Sequence, residues 1–214
     1  MAETTVVHLL RHGEVHNPGG ILYGRLPGYH LSNTGRQMAE LVAKTLADRD
    51  IVLLASSPLE RARETAAPIA ERLGLEIKID DRLTEADNVF QGRALGAGQG
   101  LLRSPRHLRH LWNPFRPSWG ERYLDVVRRM KTVIDESREA ARGHEAVLVT
   151  HQLPIWVIRL AAERRRLWHD PRRRQCALAS LTSFTFDGDR LVSIGYSEPA
   201  AALRGGGPEP PPGA

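Results

Sequence analysis

Val6-Val7-His8-Leu9-Leu10, running directly into Arg11-His12-Gly13-Glu14, decides how this chain is read. Five consecutive residues, four of them aliphatic and two β-branched, fit a strand covered on both faces, because a half-exposed strand would alternate polar with apolar. The abrupt switch to Arg-His-Gly-Glu then places polar side chains at the strand's carboxyl end. Ile51-Val52-Leu53-Leu54-Ala55, closed by Ser56-Ser57-Pro58, repeats the pattern, and so does Ala146-Val147-Leu148-Val149-Thr150, closed by His151.

Helical patterns separate these strands. Thr34 and Gln37 have capping-box spacing ahead of Met38, Leu41, Val42, Thr45 and Leu46. Ser57-Pro58-Leu59-Glu60 offers an N-cap, a proline at the first helical position and a capping glutamate for a helix that ends near Gly74. Ser118 and Glu121 precede a third amphipathic run, Trp119, Tyr123, Val126, Val127, Met130, Val133 and Ile134, stopped by Gly143. Leu75–Ile79 reads as a further strand, and Ser180–Phe186 and Arg190–Tyr196 flank the hairpin turn Asp187-Gly188-Asp189. Strands alternating with helices predict an α/β fold: three layers, α/β/α, around a mostly parallel sheet.

Composition limits the possibilities further. The 214 residues, 41% hydrophobic and 26% charged, suit one domain over residues 1–204, with a Gly/Pro-rich tail over 205–214 expected to be disordered. No apolar run reaches membrane-spanning length, and the first residues do not read as a signal peptide, so a cytoplasmic location is expected. Cys176, the single cysteine, has no disulfide or CxxC partner and reads as a small buried hydrophobe. All but three of the 30 basic residues are arginine, whose planar fork matches phosphate and carboxylate. Arg164-Arg165-Arg166 and Arg172-Arg173-Arg174 would be the contacts of a basic nucleic-acid or protein-binding module without catalysis, a reading disfavoured because no such motif accompanies them.

Ligands of open α/β sheets bind beyond the carboxyl ends of the strands. Two strands here end at histidines, His12 and His151, and a third delivers a helix start carrying Arg61, with Arg11 beside His12. Two arginines, two histidines and a helix N-terminus form a pocket suited to a phosphoryl group. His16 is spaced from His12 like a helical metal pair, but Asn17-Pro18-Gly19-Gly20 indicates a loop, and no metal site is expected.

Leu10-Arg11-His12-Gly13-Glu14 with Asn17 resembles the RHG motif of the histidine phosphatase superfamily, the phosphoglycerate-mutase-like proteins. Ser57–Ala66 is similar to its second motif, Leu83-Thr84-Glu85 to its acidic segment and Val149-Thr150-His151 to its last one, in the family's order. The resemblance implies a phosphoglycerate mutase-like fold and a metal-independent phosphatase that needs no cofactor. His12 would be the nucleophile, and Arg11, Arg61 and His151 the phosphoryl clamp. Asn17 would be an additional contact, and Glu85 the acid that protonates the leaving oxygen and then activates water. Two neighbouring arginines would keep His12 unprotonated through like-charge repulsion. Asp87 competes with Glu85 for the acid's role.

The chain departs from the family pattern at Val89–Gly96, at Pro27–Ser32, and at Gln152, which stands where glycine is common and becomes a substrate-binding candidate. These departures leave the small phosphorylated substrate unspecified. Phosphoglycerate mutase activity is the alternative within the same chemistry, and a homodimer stays open. Arg103, Arg106, His107, Arg109, His110 and Arg116, interleaved with Leu108, Leu111, Trp112 and Phe115, read equally as a substrate lid or as an amphipathic helix completing the core.

Overall fold

A computed structural model describes residues 3–93 and 120–203. The interleaved basic and aromatic segment at 103–116, Ser118 and the tail at 205–214 lie outside them. Among the described residues six strands build one sheet: β1 (Thr4–Arg11), β2 (Ile51–Ser56), β3 (Ile77–Ile79), β4 (Glu145–Thr150), β5 (Leu181–Asp187) and β6 (Arg190–Ser197), in the spatial order β3-β2-β4-β1-β5-β6. The first four are mutually parallel, and the hairpin β5-β6 adds two antiparallel strands beside β1. Gly188 turns the hairpin at φ 58°, a left-handed conformation that suits glycine.

Among the described residues four helices cover the sheet: α1 (Asn33–Leu46), α2 (Glu60–Leu73), α3 (Tyr123–Ala140) and α4 (Gln152–Ala162). Because successive strand residues point to opposite faces, β1 splits its side chains between two cores. Val7 and Leu9 pack with Met130 and Val133 of α3 and with Ile155 and Ile158 of α4. Leu10 packs with Met38 and Val42 of α1 and with Ala62 and Ile69 of α2. The result is the three-layer α/β/α fold with a mostly parallel sheet.

Helix starts differ from the sequence reading in an instructive way. Ser32, not Thr34, caps α1, its Oγ accepting from the Gly35 amide at 2.9 Å. Helix α2 begins at Glu60 after Leu59, with no side-chain cap; Ser57 is directed instead toward His151. Helix α3 begins only at Tyr123, since Glu121 is taken by Arg25 and Arg129. Strand β3 is shorter than expected, because Gly74 ends α2 at φ 66° and the Leu75 amide is spent on the Ala70 carbonyl.

Candidate active site

The carboxyl ends of β1, β2 and β4 meet at one edge of the sheet. Beyond the last β1 residue, the His12 amide still donates to the Thr150 carbonyl at 3.1 Å, and its carbonyl accepts from Ala179 at 3.2 Å. The backbone of His12 is thus pinned between two neighbouring segments. Gly13 follows, and its amide donates to Thr65 Oγ1 at 3.1 Å, docking the corner onto α2. Only glycine fits here: a Cβ on Gly13 would stand 2.6 Å from the Gly35 carbonyl oxygen, and one on Gly35 would stand 2.0 Å from that of Glu14.

The His12 ring is buried, and its Nδ1 lies 2.8 Å from its neighbour's carbonyl, Gly13 O. A carbonyl only accepts, so Nδ1 carries the proton and Nε2 keeps its lone pair. Burial, then Arg61, then Arg11 hold the imidazole well below its usual pKa. The sequence argument credited the two arginines; desolvation is the larger cause.

Arg61 lies in the first turn of α2 and is wholly buried. Its Nη2 donates to the Gly24 carbonyl at 2.6 Å, and its guanidinium stacks 4.7 Å from the centre of the Tyr23 ring. Its Nε and Nη1 have no hydrogen-bond partner among the described residues. Buried donors without acceptors are costly in a folded chain. Arg11, also buried, is anchored by Nη1 on the Cys176 carbonyl at 2.6 Å.

His151 follows β4 and caps the start of α4, its ring centre 5.1 Å from that of His12. Nδ1 lies 3.4 Å from Arg61 Nη2, which can only donate, so Nε2 carries the hydrogen given to Ser57 Oγ at 2.8 Å. Both histidines are therefore neutral, His151 again chiefly through burial. The acidic segment is fastened by Thr150 Oγ1, which donates to the Leu83 carbonyl at 2.5 Å. This brings the buried Glu85 carboxylate within electrostatic reach of Arg61 and Tyr23, with one oxygen accepting from the Ala86 amide at 2.8 Å. Asp87 is exposed.

His12, Arg11, Arg61, His151 and Glu85 thus converge. Asn17 does not present its side chain to them: its amide both donates to and accepts from Ile21, clasping the loop at 2.8 and 3.0 Å. Gln152 is buried beside His151, and its Oε1 accepts from Arg174 Nη1 at 3.2 Å. His16 lies in the loop, its amide bonded to the His30 carbonyl. Among the described residues no cluster of three or more His, Cys, Asp or Glu side chains is arranged to hold a metal ion. Sequence reasoning missed Tyr23, Ser57 and Thr65, which orient the other residues. Ser57 and Thr65 lay inside the second motif, while Tyr23 carried no motif signal.

The model for the histidine phosphatase superfamily (branch 1) matches residues 7–198, and the chain belongs to that superfamily. It is 59% identical over 201 residues to the uncharacterized protein Rv0525 of Mycobacterium tuberculosis, covering 94% of this chain and all of that one. A glucosyl-3-phosphoglycerate phosphatase of the same organism is 34% identical over 137 residues, 60% of this chain and 58% of the relative. Phosphoserine phosphatase 1 of Hydrogenobacter thermophilus is 32% identical over 152 residues, 69% and 71% of the two chains. Among solved structures, the mycobacterial glucosyl-3-phosphoglycerate phosphatase Rv2419c superposes with a TM-score of 0.71 at 28% identity, covering 91% of this chain and 96% of that one. YhfR of Bacillus stearothermophilus gives 0.74 at 26%, covering 89% and 96%. The fold is that of the phosphoglycerate mutase-like phosphatases, and the superfamily and the named relatives mark the chain as an enzyme acting on phosphate esters.

Proposed function

We propose that this protein hydrolyses a small phosphate monoester without a metal ion, by way of a phosphoryl group carried on His12. The observation that carries the reading is the pairing of an imidazole whose Nε2 lone pair is available with a buried guanidinium two of whose nitrogens, Nε and Nη1, have no partner among the described residues. In the first step Nε2 bonds to phosphorus as the ester P–O bond breaks, and protonated Glu85 gives its proton to the leaving oxygen. In the second, the Glu85 carboxylate takes a proton from water, whose oxygen bonds to phosphorus as the P–N bond breaks. Inorganic phosphate leaves and His12 is restored. Dividing one displacement into two lowers each barrier, while Arg11 and Arg61 stabilise charge gathering on the equatorial oxygens.

His151 has both ring nitrogens engaged, and it contacts a phosphoryl oxygen by turning its Nε2–H from Ser57 Oγ to that oxygen, while Nδ1 keeps accepting from Arg61. Asn17 contributes through the shape of its loop. Hydrolysis is preferred to mutase activity because the relatives above whose names state an activity are phosphatases. A panel of phosphate monoesters assayed in EDTA tests this reading. Turnover that persists in EDTA and is lost in His12→Ala is expected; turnover that requires added metal, or phosphoglycerate isomerised faster than hydrolysed, would overturn it.

A further inference from the structure

Three consecutive arginines, Arg172, Arg173 and Arg174, read in sequence as one solvated basic run, but the fold separates them. Arg172 is exposed and closes on Asp170 with two hydrogen bonds, at 3.1 and 3.0 Å, and Arg173 is exposed. Arg174 turns inward and is half-buried. Its Nε donates to His169 Nε2 at 2.9 Å and its Nη1 to Gln152 Oε1 at 3.2 Å.

Both acceptors are neutral. His169 Nδ1 is 2.7 Å from the Leu167 carbonyl and carries the proton, leaving Nε2 as an acceptor. Burial against Tyr123 and Trp156 agrees with this, pushing the imidazole pKa down to about 4. No carboxylate lies within ion-pair distance of Arg174 among the described residues, and its Nη2 makes no hydrogen bond there. Other arginines of the fold, Arg49, Arg82, Arg129 and Arg142, all end on carboxylates. Arg174 is therefore a positive charge aimed by neutral groups and held in no direct ion pair among the described residues.

Its location gives that charge a use. Gln152 directly follows His151, and the guanidinium lies within electrostatic reach of both Glu85 and Arg11. Arg11 already serves the phosphoryl pocket, so a cation at its margin meets the part of a small substrate beyond the ester oxygen. We infer that Arg174 is a specificity-determining residue: it receives a second oxyanion, a carboxylate or another phosphate, on the carbon skeleton of the monoester. Gln152 and His169 are its positioning residues. The inference rests on the phosphatase reading for its substrate, though not for its charge or geometry.

The test uses matched esters, so that losses common to both cancel. 3-Phosphoglycerate and glycerol 3-phosphate differ in a carboxylate; 1,3-propanediol bisphosphate and its monophosphate differ in a second phosphate. The unmodified protein is expected to favour the more highly charged member of at least one pair in kcat/KM, and which pair it favours identifies the oxyanion. Arg174→Gln should shrink that preference about ten- to a hundredfold, the worth of one charge-assisted hydrogen bond, mainly through KM. Arg174→Lys should retain part of it, and Gln152→Leu, which leaves the arginine in place but unaimed, should also shrink it. Equal loss on both members of each pair, or no preference in the unmodified protein, overturns the inference. If no ester is turned over, the phosphatase reading fails. Calorimetric binding of the same pairs to unmodified and Arg174→Gln proteins then decides the role of Arg174: a preference lost in the variant supports it, and no preference refutes it.

Discussion

Replacing Arg61 by methionine should separate stability from activity. Methionine keeps a flexible stem of comparable reach and removes a charge that is wholly buried and, among the described residues, has no carboxylate at ion-pair distance and leaves Nε and Nη1 unsatisfied. Each unsatisfied buried donor costs about 1–3 kcal/mol, more when charged. Against that gain stand the loss of the Gly24 hydrogen bond, about 1.5–3 kcal/mol, of the long, weak contact to His151 Nδ1, and of the stacking on Tyr23, up to about 2 kcal/mol for a desolvated pair. The balance is a variant as stable as the parent or about 1 kcal/mol more so, a rise in Tm of up to roughly 2–4 °C for a chain of this size. Activity should move the other way. Loss of one preorganised donor typically costs about 10²–10³ in rate, and Arg61 offers two, so kcat/KM on p-nitrophenyl phosphate should fall by at least about 10³. Because burial outweighs the arginines in keeping His12 neutral, the acid limb of any residual pH profile should shift little. Urea unfolding followed by circular dichroism, together with initial rates, gives both quantities. A loss of more than about 2 kcal/mol, or activity within tenfold of the parent, would refute the reasoning.

Glu85→Gln, which cannot give or take a proton, should slow hydrolysis of alkyl phosphates far more than that of p-nitrophenyl phosphate, whose leaving group needs little protonation; equal slowing would argue against the acid's role. Gly35→Ala should destabilise the fold by about 3 kcal/mol or more, since the added carbon would meet backbone rather than a yielding side chain; a Tm within about 2 °C of the parent would contradict the packing described. Acid should also weaken the fold through its histidines. His8, His12, His151 and His169 are all held below their ordinary pKa of 6.5, so the unfolded chain binds protons first as pH falls. Their contribution is complete above about pH 6.5 and is lost on acidification below it, with a slope of about 1.4 kcal/mol per pH unit for each group in its window. Urea midpoints at pH 7.5 and 5.5 check this; equal or greater stability at pH 5.5 would be the contrary result.

The strands and the residues at their ends were legible in sequence because buried parallel strands read as unbroken apolar runs, and a sudden Arg-His or Thr-His marks where the sheet stops. Helix starts were harder to read, for a tertiary reason. Ser57 has the sequence position of an N-cap, yet the fold gives its hydroxyl to His151, ninety-four residues away. The neutrality of His12 was foreseen, but from repulsion by arginine, since desolvation depends on neighbours brought from other parts of the chain. Gln152 stood out in sequence as a substrate-binding candidate, while its contact with Arg174 spans twenty-two residues and no local pattern reveals it. Asn17 belongs to the motif by position, whereas its amide is satisfied by Ile21. Tyr23, which underlies Arg61, is one aromatic residue in a loop and had nothing to distinguish it.

The central claim concerns a bond between His12 Nε2 and phosphorus. Rapid mixing with a ³²P-labelled ester, quenching in alkali and peptide mapping should recover label on the peptide containing His12, stable to base and released by acid, and absent from His12→Ala. Active protein that carries no such label at any quench time, or label retained in the His12→Ala variant, would contradict the account.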